Sequence, residues 1–141
     1  MSGLGLGRIC LSILGITQLV GPFIADFNET HVLNPNWPPH ARFHNGQTMS
    51  MGACLALGTL YYTHRTVASP AEAADSILTA TIFGSLYWIT GLSAILYPGS
   101  KGIDPEFGEG FPQLWIFSSF LGFAWIGWWL ETARLARVAK R

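Results

Sequence analysis

Residues 76–100 read SILTATIFGSLYWITGLSAILYPGS and contain no Asp, Glu, Lys or Arg. A helix rises about 1.5 Å per residue and needs roughly 20 apolar residues to cross a bilayer, so this stretch is long enough to span a membrane. Charged residues are also absent from three other stretches: 9–25, 45–63 and 110–130. We therefore predict an all-α, four-helix transmembrane bundle with spans at about 9–25, 45–63, 76–97 and 112–130.

The composition favours a single membrane domain. Half of the residues are hydrophobic and only 11% are charged, against roughly 25% in soluble domains. Four spans with short connections use up the 141 residues, so residues 1–141 are expected to form one domain surrounded by membrane lipids. The formal net charge is zero, which gives no reason to expect nucleic-acid binding.

The distribution of basic residues predicts the orientation of the bundle. Arg8, Arg65 and the tail 134–141 belong to one side of the predicted membrane, whereas the segments 26–44 and 101–109 belong to the other side and carry most of the acidic residues. Positively charged loops usually stay in the cytoplasm. We therefore expect cytoplasmic N and C termini, a long polar first loop on the lumenal or external side, and a multi-pass protein of the endoplasmic reticulum or plasma membrane. The two acidic segments should be neighbours.

The first loop is unusually rich in ionisable and rigid residues. Residues 26–44 read DFNETHVLNPNWPPHARFH and hold three of the four histidines of the chain. Its prolines exclude a regular helix before Pro39, and Pro39 itself suits the first turn of a new helix. A helix that starts there places His40, His44 and Gln47 on one face, at i, i+4 and i+7.

This composition favours acid/base chemistry. Histidine titrates near neutral pH, and a carboxylate in a partly desolvated pocket can hold a proton. The candidate catalytic residues are His40, His44, Asp26 and Glu29. The candidate substrate-binding residues are His31, Asn34, Arg42 and Gln47, together with Trp88 and Trp125, whose ring faces stabilise positive charge.

A pocket between membrane helices admits molecules from the bilayer, so we expect a lipophilic small-molecule substrate. Isomerisation, cyclisation and hydrolytic epoxide opening all need these groups, and the sequence does not choose among them. No cofactor is predicted. We expect Arg42 to form an ion pair with Asp26 or Glu29.

Two alternatives remain open. His40 and His44 have a spacing that can ligate one metal ion, with His31 or a carboxylate as a further ligand, although the spacing alone is a weak pattern. The chain could also be a non-catalytic membrane binding or scaffolding protein. That function would be indicated by a loop region whose histidines and carboxylates are fully paired, with no cavity between the helices.

The patterns DFNETH at 26–31 and NPNWPPHARFH at 34–44 resemble those of small four-span integral membrane proteins of fungi and bacteria, mostly without assigned chemistry. Some compact fungal membrane proteins of this size act as cyclases, isomerases or oxygenases in secondary-metabolite biosynthesis. The resemblance therefore implies that setting. It covers the first loop in detail and the other helices only in architecture, and it assigns no catalytic role to any residue.

Overall fold

The structure is a computed structural model that describes residues 4–140. Regular structure in that range is helical: α1 (Leu6–Asp26), α2 (Pro39–His64), α3 (Pro70–Ser93) and α4 (Gln113–Ala139), with a short 3-10 turn at Ala94–Leu96. Each helix packs against the next one along the chain, and α4 packs back against α1. The chain is therefore an up-and-down bundle, and the predicted all-α class is confirmed.

Two of the helices in the described range are long and apolar enough to cross a membrane, namely α1 and α3 with its 3-10 extension, Pro70–Leu96. The other two helices are longer than the charge-free stretches from which they were predicted. α2 begins at Pro39, as the proline pattern predicted, because proline at the first helical position loses no hydrogen bond. α4 continues to Ala139, beyond the predicted boundary at 130.

The bundle has two distinct ends. The loop end consists of the connections 27–38 and 97–112 with the adjoining helix ends. The termini end consists of the start of α1, the connection 65–69 and the last turns of α4. The predicted proximity of the two acidic segments is confirmed at the loop end, where Trp37 Nε1 donates to Asp104 Oδ2 over 2.9 Å.

The interior of the bundle contains both apolar and polar side chains, and large apolar side chains also cover its outer surface. The apolar core consists of Leu11, Leu14, Ile77, Ala80, Trp88 and Ala124. The buried polar residues of the helices are Gln18, Thr59, Thr63, Ser76, Thr81, Ser85 and Glu131. Every helix exposes large apolar side chains, among them Ile9, Ile13, Ile16, Val20, Leu57, Leu78, Ile82, Leu86, Ile89, Ile116 and Ile126. A bundle in water also turns its apolar stripes inward, but its outer surface is mostly polar.

A buried ionic cluster closes the termini end. The Glu131 side chain is fully buried and accepts hydrogen bonds from Arg8 Nε (3.0 Å) and Arg134 Nη2 (2.6 Å). Arg8 Nη1 also donates to the carbonyl of Thr63 over 2.9 Å, so three helix ends meet at this point. Burial alone would raise the pKa of the Glu131 carboxyl, but the hydrogen bonds and charges of Arg134 and Arg8 hold that pKa below its usual value.

Candidate functional site

A cavity of about 850 Å³ lies between the helices near the loop end. This volume falls within the range of small-molecule sites, roughly 300–1,000 Å³. Its wall is mostly apolar and includes Tyr87, Trp88, Phe111, Phe117, Phe120, Met51, Leu55, Ile95 and Ile116. Polar side chains interrupt the apolar wall: the ionisable and amide groups of Asp26, His31, Gln47, Lys101 and Gln113, and the hydroxyls of Thr17, Thr48, Thr90 and Ser100. The site therefore combines a lipophilic interior with a small set of ionisable and amide groups.

Small residues let aromatic rings form the wall. A Cβ atom at Gly52 would lie 3.1 Å from Tyr87 Cε2 and 3.2 Å from Pro22 Cγ, so the ring and the proline pack against bare backbone. The Trp88 ring stacks on Phe120, with centroids 4.7 Å apart and planes 20° apart. Such contacts fix the aromatic side chains in defined orientations around the cavity.

Asp26 and His31 form a carboxylate–imidazole pair in the cavity wall. Asp26 Oδ1 lies 3.9 Å from His31 Nε2, and Asp26 Oδ2 accepts a hydrogen bond from Asn45 Nδ2 over 3.0 Å. Asp26 ends α1, whereas His31 belongs to the tight turns that follow it. The pair is therefore held by the last turn of one helix, the loop after it and the start of the next helix.

The surroundings of His31 fix its neutral tautomer. Thr30 Oγ1 donates its single proton to Asn28 Oδ1 over 2.6 Å, and the same oxygen lies 2.7 Å from His31 Nδ1. Because that hydroxyl proton is already used, Nδ1 must be the donor in the second contact. Neutral His31 then presents the lone pair of Nε2 towards Asp26. This arrangement suits a general base next to a carboxyl group.

His40 and His44 lie outside the cavity, whereas Gln47, on the same face of α2, lines it. The Nε2 atoms of His40 and His44 are 3.0 Å apart, and His44 Nδ1 lies 3.3 Å from Gln47 Oε1, with both imidazoles exposed. Asn45, the next residue, faces Asp26 instead, and successive residues of a helix project about 100° apart. In residues 4–140 no hydrogen bond or ion pair joins Asp26 to His40 or His44. The structure does not bring together the four residues predicted to be catalytic.

Asn34 and Arg42 stabilise the loop end. Asn34 is almost completely buried, and its Nδ2 donates to Glu106 Oε1 in the second loop over 2.6 Å. Arg42 Nη2 donates to the carbonyl of Asn34 over 2.6 Å. The predicted ion pair of Arg42 with Asp26 or Glu29 does not form within the described range, and Glu29 is exposed. These contacts join the two loops to the first turn of α2.

The two candidate tryptophans have different positions. Trp88 is buried and lines the cavity. Trp125 lies on the outer surface of α4, where it is 42% exposed and meets Trp128 edge-on at 5.7 Å. Of the ten candidate residues, the cavity therefore contains Asp26, His31, Gln47 and Trp88.

Several residues of this site were not among the candidates from the sequence. Gln113 and Lys101 line the cavity, and Gln18 is fully buried next to the lining residue Thr17. For the glutamines, the sequence did contain a signal. Each of the three glutamines of the chain is an isolated amide in a charge-free stretch. Polar groups at membrane depth are costly and are therefore candidates for function.

The histidines and carboxylates of the described chain do not converge on a metal site. Among residues 4–140, no group of three or more His, Cys, Asp or Glu side chains is arranged to hold an ion. The pair formed by His40 and His44 offers two nitrogen atoms on an exposed helix face. The third ligand suggested from the sequence, His31, lies at the cavity instead.

A model for a family of unknown function, DUF6640, matches residues 10–141. The chain belongs to the DUF6640 family. The match covers both connections of the loop end, α2, α3 and α4, and all but the first residues of α1. No curated protein and no solved structure matches this DUF6640 chain. Its function must therefore be argued from its own residues.

Proposed function

We propose that this DUF6640 protein is a four-span integral membrane enzyme that performs acid/base chemistry on a lipophilic small molecule. The observation that carries the proposal is the cavity of about 850 Å³, which has an aromatic wall and contains the Asp26–His31 pair. The same bundle exposes many large apolar side chains on its outer surface. A membrane setting accounts for both features.

The exposed aromatic residues support four membrane spans. Tyr97 and Trp115 are highly exposed at the loop end, and Tyr61 and Trp129 are highly exposed near the termini end. Tyrosine and tryptophan favour the two interfaces of a bilayer. The apolar surface between these two levels is then covered by lipid. The basic tail 134–141 supports a cytoplasmic termini end, in a protein of the endoplasmic reticulum or plasma membrane.

The cavity wall supports a lipophilic substrate. Its lining is mostly apolar, and aromatic faces such as those of Phe117 and Phe120 can stabilise positive charge that develops on a substrate carbon. The substrate enters from the membrane or from the loop end, and its apolar body replaces water against these rings. Burial of this apolar surface supplies the binding free energy.

The Asp26–His31 pair supplies proton transfer. His31 Nε2 accepts one proton from the substrate, and the carboxyl of Asp26 delivers one proton to it; transfer of a proton from His31 back to Asp26 restores the starting state. In a double-bond migration one proton leaves one carbon and one proton arrives at another, so the reaction balances without a redox partner. Cyclisation and epoxide opening use the same pair, with the acid form protonating the double bond or the epoxide oxygen.

A non-catalytic binding protein is the second candidate, and one observation favours it. The acidic side chains of the second loop are paired with the first loop, since Asp104 accepts from Trp37 and Glu106 accepts from Asn34. A paired loop region was the expected sign of such a protein. The open cavity is the observation against a purely scaffolding role.

The test compares metabolites of cells that contain wild-type protein, Asp26→Asn, His31→Gln or His44→Gln at equal abundance. Loss of product is expected for the first two variants, and wild-type product is expected for His44→Gln, because His44 lies outside the cavity. If Asp26→Asn and His31→Gln keep the wild-type product, the catalytic proposal is wrong. If wild-type and empty cells have the same metabolites while a lipophilic probe still binds, the binding function is favoured.

A further inference from the structure

Two buried polar side chains near the inner end of the cavity have no hydrogen-bond partner among the described residues: Trp88, which lines the cavity, and Gln18, the neighbour of the lining residue Thr17. The Gln18 side chain is fully buried, and neither its Oε1 nor its Nε2 has a partner within the described residues. Trp88 is 3% exposed, and its Nε1 is likewise without a partner in residues 4–140. Buried amide and indole N–H groups are costly when unpaired, above all inside an apolar bundle. Their retention suggests that a bound molecule satisfies them.

The packing of α1 against α3 places these two side chains at one level. A Cβ atom at Gly84 would lie 2.7 Å from Leu14 Cδ2, so these two residues share a level. The helices α1 and α3 run in the same direction because both start beside the end of α2. Gln18 lies four residues after Leu14, and Trp88 lies four residues after Gly84, which is about one helical turn in each helix. They therefore lie at one level, one turn closer to the loop end, where Trp88 and the neighbour of Gln18, Thr17, line the inner end of the cavity.

The unpaired atoms form a complementary set. Trp88 Nε1 can only donate, whereas the Gln18 amide offers two donor protons and an acceptor oxygen. A hydroxyl group has one proton and two lone pairs, so it can accept from both side chains and donate to Gln18 Oε1. An ether oxygen or a hydrocarbon leaves the acceptor unpaired.

We propose that the inner end of the cavity binds the hydroxyl group of a lipophilic alcohol through Gln18 and Trp88. This inference rests on the proposed function and deepens it, because it names the substrate class. Asp26 lies eight residues beyond Gln18 on α1, about 12 Å of helix rise. The carbon on which the proton-transfer pair acts therefore lies about 12 Å from the hydroxyl. The hydroxyl is an anchor and not the reacting group.

The experiment measures binding of labelled 1-dodecanol and dodecane to the full chain in lipid nanodiscs, after subtraction of the label that partitions into protein-free discs. The wild type is expected to bind the alcohol about tenfold more tightly than the alkane, as one well-placed hydrogen-bonded group provides. Gln18→Leu and Trp88→Phe should bring that ratio close to one, because both weaken binding of the alcohol relative to the alkane. Trp129→Phe, on the outer surface, should keep the wild-type ratio.

Thermal unfolding of the ligand-free variants distinguishes an anchor for a ligand from a structural role. A structural role of Gln18 predicts a lower melting temperature for its variant, whereas an anchor predicts a higher one. Gln18→Leu removes an unpaired buried amide, so its melting temperature should rise in the absence of alcohol, and the added alcohol should stabilise it less than the wild type. This variant keeps the proposal testable if Trp88→Phe disturbs the stacking on Phe120 and fails to fold.

Three results would overturn the inference: equal binding of both probes by the wild type, as expected if only water occupies the site; an unchanged ratio in Gln18→Leu; or a lower melting temperature of ligand-free Gln18→Leu. Failure of the proposed chemistry is a separate outcome. If Asp26→Asn keeps the wild-type metabolites while the binding ratio still depends on Gln18, the anchor is supported and the acid/base function is wrong.

Discussion

Asn45 Nδ2 donates a hydrogen bond to Asp26 Oδ2 over 3.0 Å, across the contact between the start of α2 and the end of α1. This bond leaves the other carboxylate oxygen facing His31. The bond is consistent with the rotation of α2, in which Asn45 faces α1 and the neighbouring His44 is exposed. It holds the Asp26 carboxylate in the cavity wall.

Replacement of Asn45 by Leu should slow the proposed reaction without weakening substrate binding. The carboxylate of Asp26 loses a neutral hydrogen bond, a contribution of about 1 kcal/mol, and no longer has a fixed position beside His31. We expect kcat to fall about tenfold and KM to remain within twofold, as measured by product formation in purified membranes. Asn36→Leu, at an exposed site of the loop, is the matched control. A change in KM alone would contradict this positioning role.

The start of α2 shows what the sequence could and could not predict. Pro39 and the end of the charge-free stretch define the helix, because both effects act locally. Which of the polar residues face inward was not predictable, since His40, His44, Asn45 and Gln47 are all polar and surround the helix. Long-range packing selects among them: Asn45 bonds to Asp26 and Gln47 lines the cavity. The prediction of the helix was therefore correct, whereas the predicted group of four catalytic residues did not form.

Glu131 shows the same limit at the other end of the bundle. Its position after a charge-free stretch predicted the end of a span and a solvated tail. Its burial depends on Arg8, which is 123 positions away in the sequence. No local pattern predicts this pairing, because it requires α1 and α4 to be neighbours. Because of this tertiary packing, Glu131 lies in the interior of the bundle and not at the boundary of a span.

Glu131→Gln should destabilise the bundle strongly. The substitution leaves Arg8 and Arg134 partly buried without their counter-charge, and breaking a buried pair on one side costs about 3 kcal/mol or more. Thermal unfolding in detergent should show a clear loss of melting temperature. Arg137→Gln on the exposed side of α4 should leave the melting temperature unchanged within error. Equal melting temperatures for wild type and Glu131→Gln would show that the cluster does not stabilise the fold.

The same carboxyl predicts a pH dependence. Its pKa is lowered in the folded protein, and glutamate in an unfolded chain has a pKa of about 4.3. The folded state therefore binds fewer protons than the unfolded state, so this contribution is fully present above about pH 4.3 and is lost as the pH falls through the lowered folded pKa. The difference in melting temperature between wild type and Glu131→Gln should be constant above pH 5.5 and shrink below pH 4. If the difference in melting temperature stays constant down to pH 3, the lowered pKa of the Glu131 carboxyl does not contribute to the stability of the fold.

Gly7 should tolerate no side chain, whereas Gly122 should tolerate one. A Cβ atom at Gly7 would overlap the carbonyl oxygen of Gly127, which is backbone and cannot move aside. At Gly122 no atom of the described chain lies within 4 Å of such a Cβ. We expect Gly7→Ala to lower the melting temperature as α1 and α4 move apart. Gly122→Ala should raise it slightly, because alanine favours a helix by about 1 kcal/mol over glycine. Equal effects would show that the two helices do not meet at Gly7.

Asn34→Asp should release the two loops from each other. The new carboxylate would lie against Glu106 Oε1, where Asn34 Nδ2 now donates over 2.6 Å, so an attractive contact becomes a repulsive one between a buried group and an exposed carboxylate. We expect a loss of about 2 kcal/mol at pH 7 and faster proteolysis within residues 97–112. Both effects should diminish in acid, because protonation of either carboxyl removes the repulsion. Asn36→Asp is the control, because Asn36 is exposed and its bond to Glu106 is 3.4 Å long. If both variants are equally resistant to protease at pH 7, the Asn34–Glu106 bond does not join the loops.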